Sequence, residues 1–252
     1  MKTNTLYAIY ILWLRQLKRY FRSKSRMLGS LGQPILFLVA LGFGLNSVFA
    51  ASGQGNYIQF LAPGIIAMSI LFTAIFSGIE IIWDRQFGFL KEVLVAPVSR
   101  FTIMFGRTLG GATVASLQGL LTLIIATAIG FRPDLWMIIP AMFFMILIAL
   151  VFTALGTAIA STLEDMQGFQ LIMNFVVMPV FFLSGSLFPL TTAPAVLQWI
   201  AIFNPLFYGV DGMRAVLIGA SHFSAWTDAT VLVCISAVFL GIGSWLFSKI
   251  KA

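Results

Sequence analysis

The chain has 252 residues, of which 60% are hydrophobic and only 9% are charged, with a net charge of +7. Soluble domains are about 45–50% apolar and about 25% charged, so this composition excludes an ordinary soluble protein and predicts an integral membrane protein. The apolar runs are continuous, which predicts membrane-spanning helices, since barrel strands alternate apolar with polar residues. A single cysteine, Cys234, and a single histidine, His222, exclude an intrachain disulfide and a metal cluster built from either residue type.

The first 26 residues are basic and contain no acid. Their cationic residues are Lys2, Arg15, Lys18, Arg19, Arg22, Lys24 and Arg26. Apolar residues recur among them at helical steps, at Leu6, Tyr10, Trp13, Leu17 and Tyr20. The pattern predicts an amphipathic helix over residues 1–26 that lies on the anionic inner leaflet, so the positive charge indicates membrane lipid and no nucleic acid. A signal peptide ending near Ala50 is the alternative, which the long charged and apolar regions disfavour.

Six apolar segments are long enough to cross a bilayer, which takes about 20 helical residues. They cover residues 27–49, 57–79, 102–130, 137–161, 168–188 and 229–247. No linker or composition break divides residues 1–252, so we expect one transmembrane domain. With both termini in the cytosol, thirteen of the fifteen Lys and Arg residues lie on the inner side, and only Arg132 and Arg214 lie outside. The positive-inside rule therefore predicts this orientation in the inner (plasma) membrane of the cell.

The loop between the second and third spans, Glu80 to Arg107, carries seven of the 23 formal charges. Apolar residues recur in it at helical spacing, at Phe87, Leu90 and Leu94. Pro97 ends the pattern, because the residue before a proline is pushed away from helical geometry. We expect a short amphipathic helix over Arg85–Val95. Such a helix either lies in the headgroup region or presents its apolar and charged groups to a cytosolic partner.

The residues of this loop resemble the first cytoplasmic loop of ABC type-2 exporter permeases. The motif is Asp84-Arg85, then FGFLKEVLV over residues 87–95, then APVSR over residues 96–100. Similar loops occur in drug-resistance permeases and in nodulation lipo-oligosaccharide permeases. The resemblance implies that this loop holds a coupling helix, which docks on a separate ATPase subunit. The docking residues that it implies are Arg85, Phe87, Gly88, Phe89, Leu90, Lys91, Glu92 and Leu94.

Residues 189–228 are apolar but broken by prolines, and the segment from Ala195 to Phe203 is too short to span a bilayer. It predicts either half-helices that enter the outer leaflet or a helix that lies flat on the surface. The runs FFLSGSLFP over residues 181–189, NPL over 204–206 and GMR over 212–214 also resemble ABC type-2 permeases, which implies a re-entrant helical pair before the last span. Its candidate residues are Pro189, Asn204, Pro205, Asp211 and Arg214. Asp211 and Arg214 either pair locally along one helix or hold the helical pair in place.

Catalytic and nucleotide-binding motifs are missing from the sequence, including the phosphate loop GxxxxGK[ST] and the motifs GxSxG, HExxH and CxxC. We therefore expect no enzyme activity, no cofactor and no metal on this chain. We also expect the ionisable residues to lie outside the spans, with Glu80 nearest to one, so that the spans lack the groups that a proton- or sodium-coupled relay requires. Energy for transport is then expected from a partner.

The resemblance covers nearly the whole chain and implies the membrane subunit of an ABC exporter. It implies two copies of this chain with two copies of an ATPase that binds ATP and Mg. The path would lie between the two copies, along the first, second and fifth spans. Its apolar walls with few amides suit an amphipathic or lipid-linked substrate. The alternatives are a stand-alone secondary carrier or channel, an intramembrane enzyme acting on lipids, and a membrane assembly factor.

Overall fold

The computed structural model describes residues 5–53, 55–95 and 97–249, without the side chains of Arg26, Lys91, Leu94 and Thr192. Within these residues the chain forms α-helices and no strand, which confirms the all-α class. The first six helices are α1 (Thr5–Arg22), α2 (Lys24–Gly44), α3 (Asn46–Ala51), α4 (Tyr57–Phe76), α5 (Ile79–Gln86) and α6 (Phe89–Val95). The other seven are α7 (Arg100–Ile129), α8 (Ile138–Thr162), α9 (Met166–Ile172), α10 (Met178–Phe182), α11 (Ala195–Ile202), α12 (Pro205–Ile218) and α13 (Ala225–Ser248).

Five helical segments of the described chain are long and apolar enough to cross a membrane. They are Met27–Gly44, Tyr57–Gln86, Arg100–Ile129, Leu135–Thr162 and Ala225–Ser248. The fifth predicted span, at residues 168–188, corresponds to a shorter apolar helical stretch, Met166–Phe182, which contains a π-helical segment at Met173–Val177. The chain is therefore a multi-pass helical membrane protein.

Two predicted boundaries need correction. The second span was expected to end at residue 79, but helical structure continues as α5, so that Glu80 and Asp84 lie on a helix and not in a loop. The last span was expected to begin at residue 229, but α13 begins at Ala225 and places Asp228 in its first turn. In both cases charged residues at a helix end lower the hydropathy of a sequence window, while the backbone stays helical.

Side-chain caps explain where several helices begin. Asn56, Ser99, Asn204 and Ser224 each accept a hydrogen bond from a backbone N–H of the first turn of α4, α7, α12 and α13. These short polar side chains satisfy donors that a helix start leaves free. Pro205 follows Asn204 at the first position of α12, where the fixed φ of proline suits the helix and its missing N–H costs nothing.

Helix α4 is the centre of the bundle, with every residue from Leu61 to Leu71 buried. It packs against α2, α7, α8 and α12. One close approach is to α8, where a Cβ on Gly156 would lie 2.7 Å from Ile75 Cα. Glycine is required there because any side chain would push the two backbones apart. The small residues that the sequence places in α7 and α8 thus serve packing within this chain.

Helix α1 has the predicted amphipathic character, but it packs on α7 over much of its length. Gly106 and Gly110 of α7 allow α1 to approach closely, since a Cβ on Gly110 would lie 2.7 Å from Gln16 Cβ. Trp13 Nε1 donates to Thr113 Oγ1 at 3.0 Å, and Tyr20 Oη donates to Gln118 Oε1 at 2.7 Å. Helix α1 is therefore attached to the bundle by specific contacts along its length.

Candidate functional site

A tight turn separates α5 from α6 in the loop that the sequence singled out. Gly88 has a φ of +77°, which a residue with a side chain rarely adopts. The turn directs Phe87 outward, with 83% of its surface exposed, whereas Leu90 is 2% exposed and belongs to the chain's own core. Glu92 and Val95 are exposed, and the side chains of Lys91 and Leu94 lie outside the described part of the structure. Among the side chains that the structure describes, the outward surface of this loop therefore includes Phe87, Glu92 and Val95.

Arg85 joins this loop to the C-terminal end of α8 through hydrogen bonds. Its Nη1 donates to Leu163 O at 2.8 Å and its Nη2 donates to Ser161 O at 3.0 Å. Both acceptors lie at the C-terminus of α8, where carbonyls lack helical partners and the helix dipole favours a cation. Arg85 therefore positions the loop, and its guanidinium is already engaged within the chain.

A cluster of five buried or half-buried charges lies directly beneath the loop. Asp84 is its centre, because its Oδ1 accepts from Arg15 Nη2 at 2.7 Å and its Oδ2 accepts from Arg107 Nη2 at 2.6 Å. Arg19 completes it, with Nη1 at 3.0 Å from Glu80 Oε2 and Nη2 at 3.8 Å from Asp84 Oδ1. Asp84 and Arg107 are 4% and 3% exposed. Three helices, α1, α5 and α7, are thus joined by one set of ion pairs.

The cluster also reaches α6. The Arg15 guanidinium lies over the Phe89 ring, with its central carbon 4.0 Å from the ring centroid. Such a cation–π contact contributes about 0.5–2 kcal/mol, depending on how far water is excluded. Arg15 therefore contacts α6 through Phe89 and α5 through Asp84 at the same time.

The predicted helical pair is present at the opposite end of α4 as α11 and α12. Asn204 joins it to α10, because its Nδ2 donates to Val180 O at 2.6 Å. Asp211 accepts from the backbone N–H groups of His222 and Phe223, at 2.7–2.9 Å. Arg214 Nη2 donates to Gly185 O at 2.8 Å, and its guanidinium stacks on the Phe60 ring at 3.8 Å.

These contacts distinguish the two roles considered for Asp211 and Arg214. Their side chains reach different partners, Asp211 toward the start of α13 and Arg214 toward α4 and the turn after α10. These hydrogen bonds favour the role of holding the helical pair in place. Pro189 lies in this turn, directly before a 3₁₀ segment at Leu190–Thr192.

The sequence reasoning missed the charge cluster, and its statement that ionisable residues stay out of the spans is wrong. Glu80, Asp84 and Arg107 are buried on helices that belong to spanning segments, and Asp228 is fully buried in α13. A signal was available, since Glu80 and Asp84 are four residues apart, as are Arg15 and Arg19, so that each pair lies on one helix face. Among the residues that the structure describes, no group of His, Cys, Asp and Glu is arranged to hold a metal ion.

Comparison with known proteins agrees with this architecture. Residues 7–218 match the family model of the ABC-2 type transporter. The chain is 28% identical over 242 residues to a putative transport permease ycf38 of Cyanophora paradoxa, covering 94% of this chain and 82% of that protein. It is 29% identical over 213 residues to nodulation protein J of Rhizobium leguminosarum bv. trifolii, covering 83% of this chain and 78% of that protein. It is also 30% identical to the ycf38 permease of Pyropia yezoensis over 220 residues, which are 84% of this chain and 74% of that protein. The family match covers most of the chain, and the chain therefore belongs to the ABC-2 type transporter family.

Proposed function

We propose that this chain is the membrane-spanning permease subunit of an ATP-driven exporter and that the loop around α6 docks on a separate ATPase subunit. The observation that carries the proposal is that one part of this loop is attached to the bundle while another part is exposed. Arg85 and Leu90 fix it to the bundle, while Phe87, Glu92 and Val95 project from it. An exposed aromatic anchor with a charged neighbour on a rigid support is what a protein–protein contact requires.

Movement of the docked loop would reach the spans through the charge cluster. Phe89 on α6 contacts Arg15 on α1, and Arg15 shares the Asp84 carboxylate with Arg107 on α7. Because buried ion pairs with short hydrogen bonds are costly to separate, these helices would move as one unit when the ATPase dimer closes. We expect two permease copies and two ATPase copies, with ATP and Mg bound by the ATPase.

The orientation follows from the charge distribution. The basic α1 and the charge cluster lie at one end of the bundle, which the positive-inside rule assigns to the cytosol of a cell with this protein in its inner membrane. An ATPase would meet Phe87 and Glu92 on that side. The helical pair α11–α12 would then lie at the outer side, with both chain termini in the cytosol.

An amphipathic or lipid-linked cargo suits the groove between α2 and α4. This groove has a volume of about 400 Å³ and is lined by apolar residues with a few hydroxyl and amide groups, among them Gln33, Ser69 and Thr73. It lies on the first and second spans, along which the path was expected. Relatives of the chain are named transport permeases, which agrees with a transport role.

Cross-linking from single cysteines tests the docking surface. In a background with Cys234→Ser, the variant Phe87→Cys is expected to form a cross-link to the ATPase. Phe203→Cys is the matched control, because Phe203 is 82% exposed but lies at the other end of the bundle. Cross-linking of both variants with equal yield, or of neither in a complex that hydrolyses ATP, would contradict docking through this loop.

The secondary carrier and the assembly factor remain the rivals. A secondary carrier would transport without ATP, so substrate accumulation in ATP-free vesicles under an ion gradient would favour it. An assembly factor would leave transport intact when the loop is altered.

A further inference from the structure

A cavity of about 270 Å³ lies beside the helical pair, where the segment after α10, helix α11, helix α12 and the α12–α13 loop meet. Its apolar lining includes Phe60, Leu190 and Phe207. Its polar lining includes Asp211 and Arg214. This volume is below the ~300–1,000 Å³ of pockets for drug-sized ligands, so it suits a single compact headgroup.

Arg214 has donors in this cavity that the protein does not use. A guanidinium carries five N–H donors and no acceptor. Within the described part of the chain, Arg214 forms its hydrogen bonds through Nη2, to the carbonyls of Phe60, Gly185 and Ser186 at 2.8–3.3 Å. The Nε atom is buried and has no acceptor within the protein. A buried donor without an acceptor is unfavourable, so this guanidinium is suited to a ligand that brings acceptor oxygens.

Two other polar side chains of the cavity, Asp211 and Gln198, already form hydrogen bonds within the protein. Both carboxylate oxygens of Asp211 accept from the backbone of His222 and Phe223. Gln198 Nε2 donates to Ala193 O at 2.9 Å. The nearby negative charge of Asp211 offsets the positive charge of Arg214, which favours a singly charged anion over a doubly charged one.

Helix α11 places the cavity near the lipid headgroups. It and its C-terminal neighbour expose large apolar side chains, with Val196, Trp199 and Phe203 exposed by 69%, 67% and 82%. Tryptophan and other aromatic residues concentrate at the boundary between hydrocarbon and headgroups. Phosphodiester groups are found at that depth, and their oxygens form short, charge-assisted hydrogen bonds with arginine.

We propose that this cavity binds the singly charged phosphodiester headgroup of a membrane lipid, with Arg214 as the group that recognises it. The acyl chains would lie along the exposed face of α11, and the headgroup would enter between Phe60 and Phe207. The site is at the opposite end of α4 from the ATPase-docking loop, so the inference does not depend on ATP-driven export.

Native mass spectrometry of the full-length chain in detergent tests this site with three probes. Dioleoylphosphatidylglycerol carries both the phosphodiester and the acyl chains, dioleoylglycerol lacks the phosphate, and glycerophosphoglycerol lacks the chains. We expect phosphatidylglycerol to bind at least about tenfold more tightly than dioleoylglycerol, as loss of a charge-assisted hydrogen bond predicts. We also expect it to bind more tightly than glycerophosphoglycerol, which keeps the phosphodiester but loses the apolar contact of the acyl chains. Equal binding of dioleoylglycerol would overturn the proposal, and equal binding of glycerophosphoglycerol would overturn the membrane as the source of the phosphodiester.

Variants separate this site from general lipid binding. Arg214→Gln is expected to weaken phosphatidylglycerol binding by about tenfold or more. The matched control is Arg132→Gln, which removes the same charge from an exposed position and should bind as the wild type does. Arg214 also donates hydrogen bonds to backbone carbonyls, so its replacement can disturb the local structure. Ala220→Phe therefore serves as a second variant, which fills the cavity from its exposed rim and leaves Arg214 in place. Unchanged binding by a folded Ala220→Phe variant would contradict the site.

Discussion

Asp84 accepts a 2.6 Å hydrogen bond from Arg107, a residue 23 positions later in the chain, and both side chains are almost fully buried. The second oxygen of the same carboxylate accepts from Arg15 of α1. The carboxylate thus holds α1, α5 and the start of α7 together, because it contacts cations on both neighbouring helices.

Removing this carboxylate should strongly destabilise the bundle. Asp84→Asn leaves Arg107 buried without its counter-charge, and breaking a buried pair in this way costs about 3–5 kcal/mol. Thermal unfolding in detergent would show the loss as a lower Tm. The control is Glu164→Gln, at an exposed position, which should change the Tm little. The double variant Asp84→Leu with Arg107→Met should lose less than Asp84→Asn alone, and a larger loss would contradict the pairing.

Phe87 and Leu90 should separate docking from folding. Leu90 is buried, so Leu90→Ala is expected to cost about 2–5 kcal/mol of stability. Phe87 is exposed, so Phe87→Ala should leave the Tm unchanged and weaken ATPase association by at least about tenfold, as for a buried interface anchor worth about 2 kcal/mol. Thermal unfolding and a binding titration with the ATPase measure the two effects. A Phe87→Ala variant that binds normally would show that the anchor lies elsewhere.

Asp211 should control the order of the α12–α13 loop. Asp211→Ala deprives the backbone N–H groups of His222 and Phe223 of their acceptor, at a cost of about 1–3 kcal/mol. Hydrogen exchange at these two amides is expected to accelerate by about tenfold or more. Asp134→Ala is the control, since Asp134 caps only its own turn at Trp136. Exchange that accelerates equally in the control would indicate a general loosening.

Gly156 should tolerate no side chain. Gly156→Ala places a Cβ against the backbone of Ile75 and is expected to cost about 1–3 kcal/mol by overpacking. Gly241→Ala is the matched control, because nothing lies within 4 Å of a Cβ at that exposed helical position. It should be neutral or stabilising by up to about 1 kcal/mol. Equal Tm values for the two variants would contradict the close packing of α4 on α8.

The elements that the sequence predicted well are those with a local signature. Charge and apolar period were enough for α1. The spacing of Phe87, Leu90 and Leu94 and the position of Pro97 indicated a short helix that ends at Val95, but its expected start at Arg85 is wrong, because the turn at Gly88 separates α5 from α6. The prolines at 189, 194 and 205 indicated the broken helical pair.

The charge cluster could not be predicted with the same ease, because it depends on distant parts of the chain. Arg15, Asp84 and Arg107 come together only after α1 packs on α7 and helical structure continues beyond α4. Charged residues at the end of a span also lower the mean hydropathy of a sequence window, so they are assigned to a loop. The boundaries near Glu80 and Asp228 were misplaced for this reason. The division of the docking loop into the buried Leu90 and the exposed Phe87 likewise required the tertiary structure, since the sequence pattern places both apolar residues on one predicted helix.

The proposal that an ATPase drives this permease is tested most directly by purifying the tagged chain from its native membranes and identifying the proteins that accompany it by mass spectrometry. We expect a soluble protein with a phosphate loop, in equal copy number with the permease, that is lost in Phe87→Ala and retained in Phe203→Ala. Purification of the wild-type chain without such a protein, from membranes in which it transports substrate, would contradict the account.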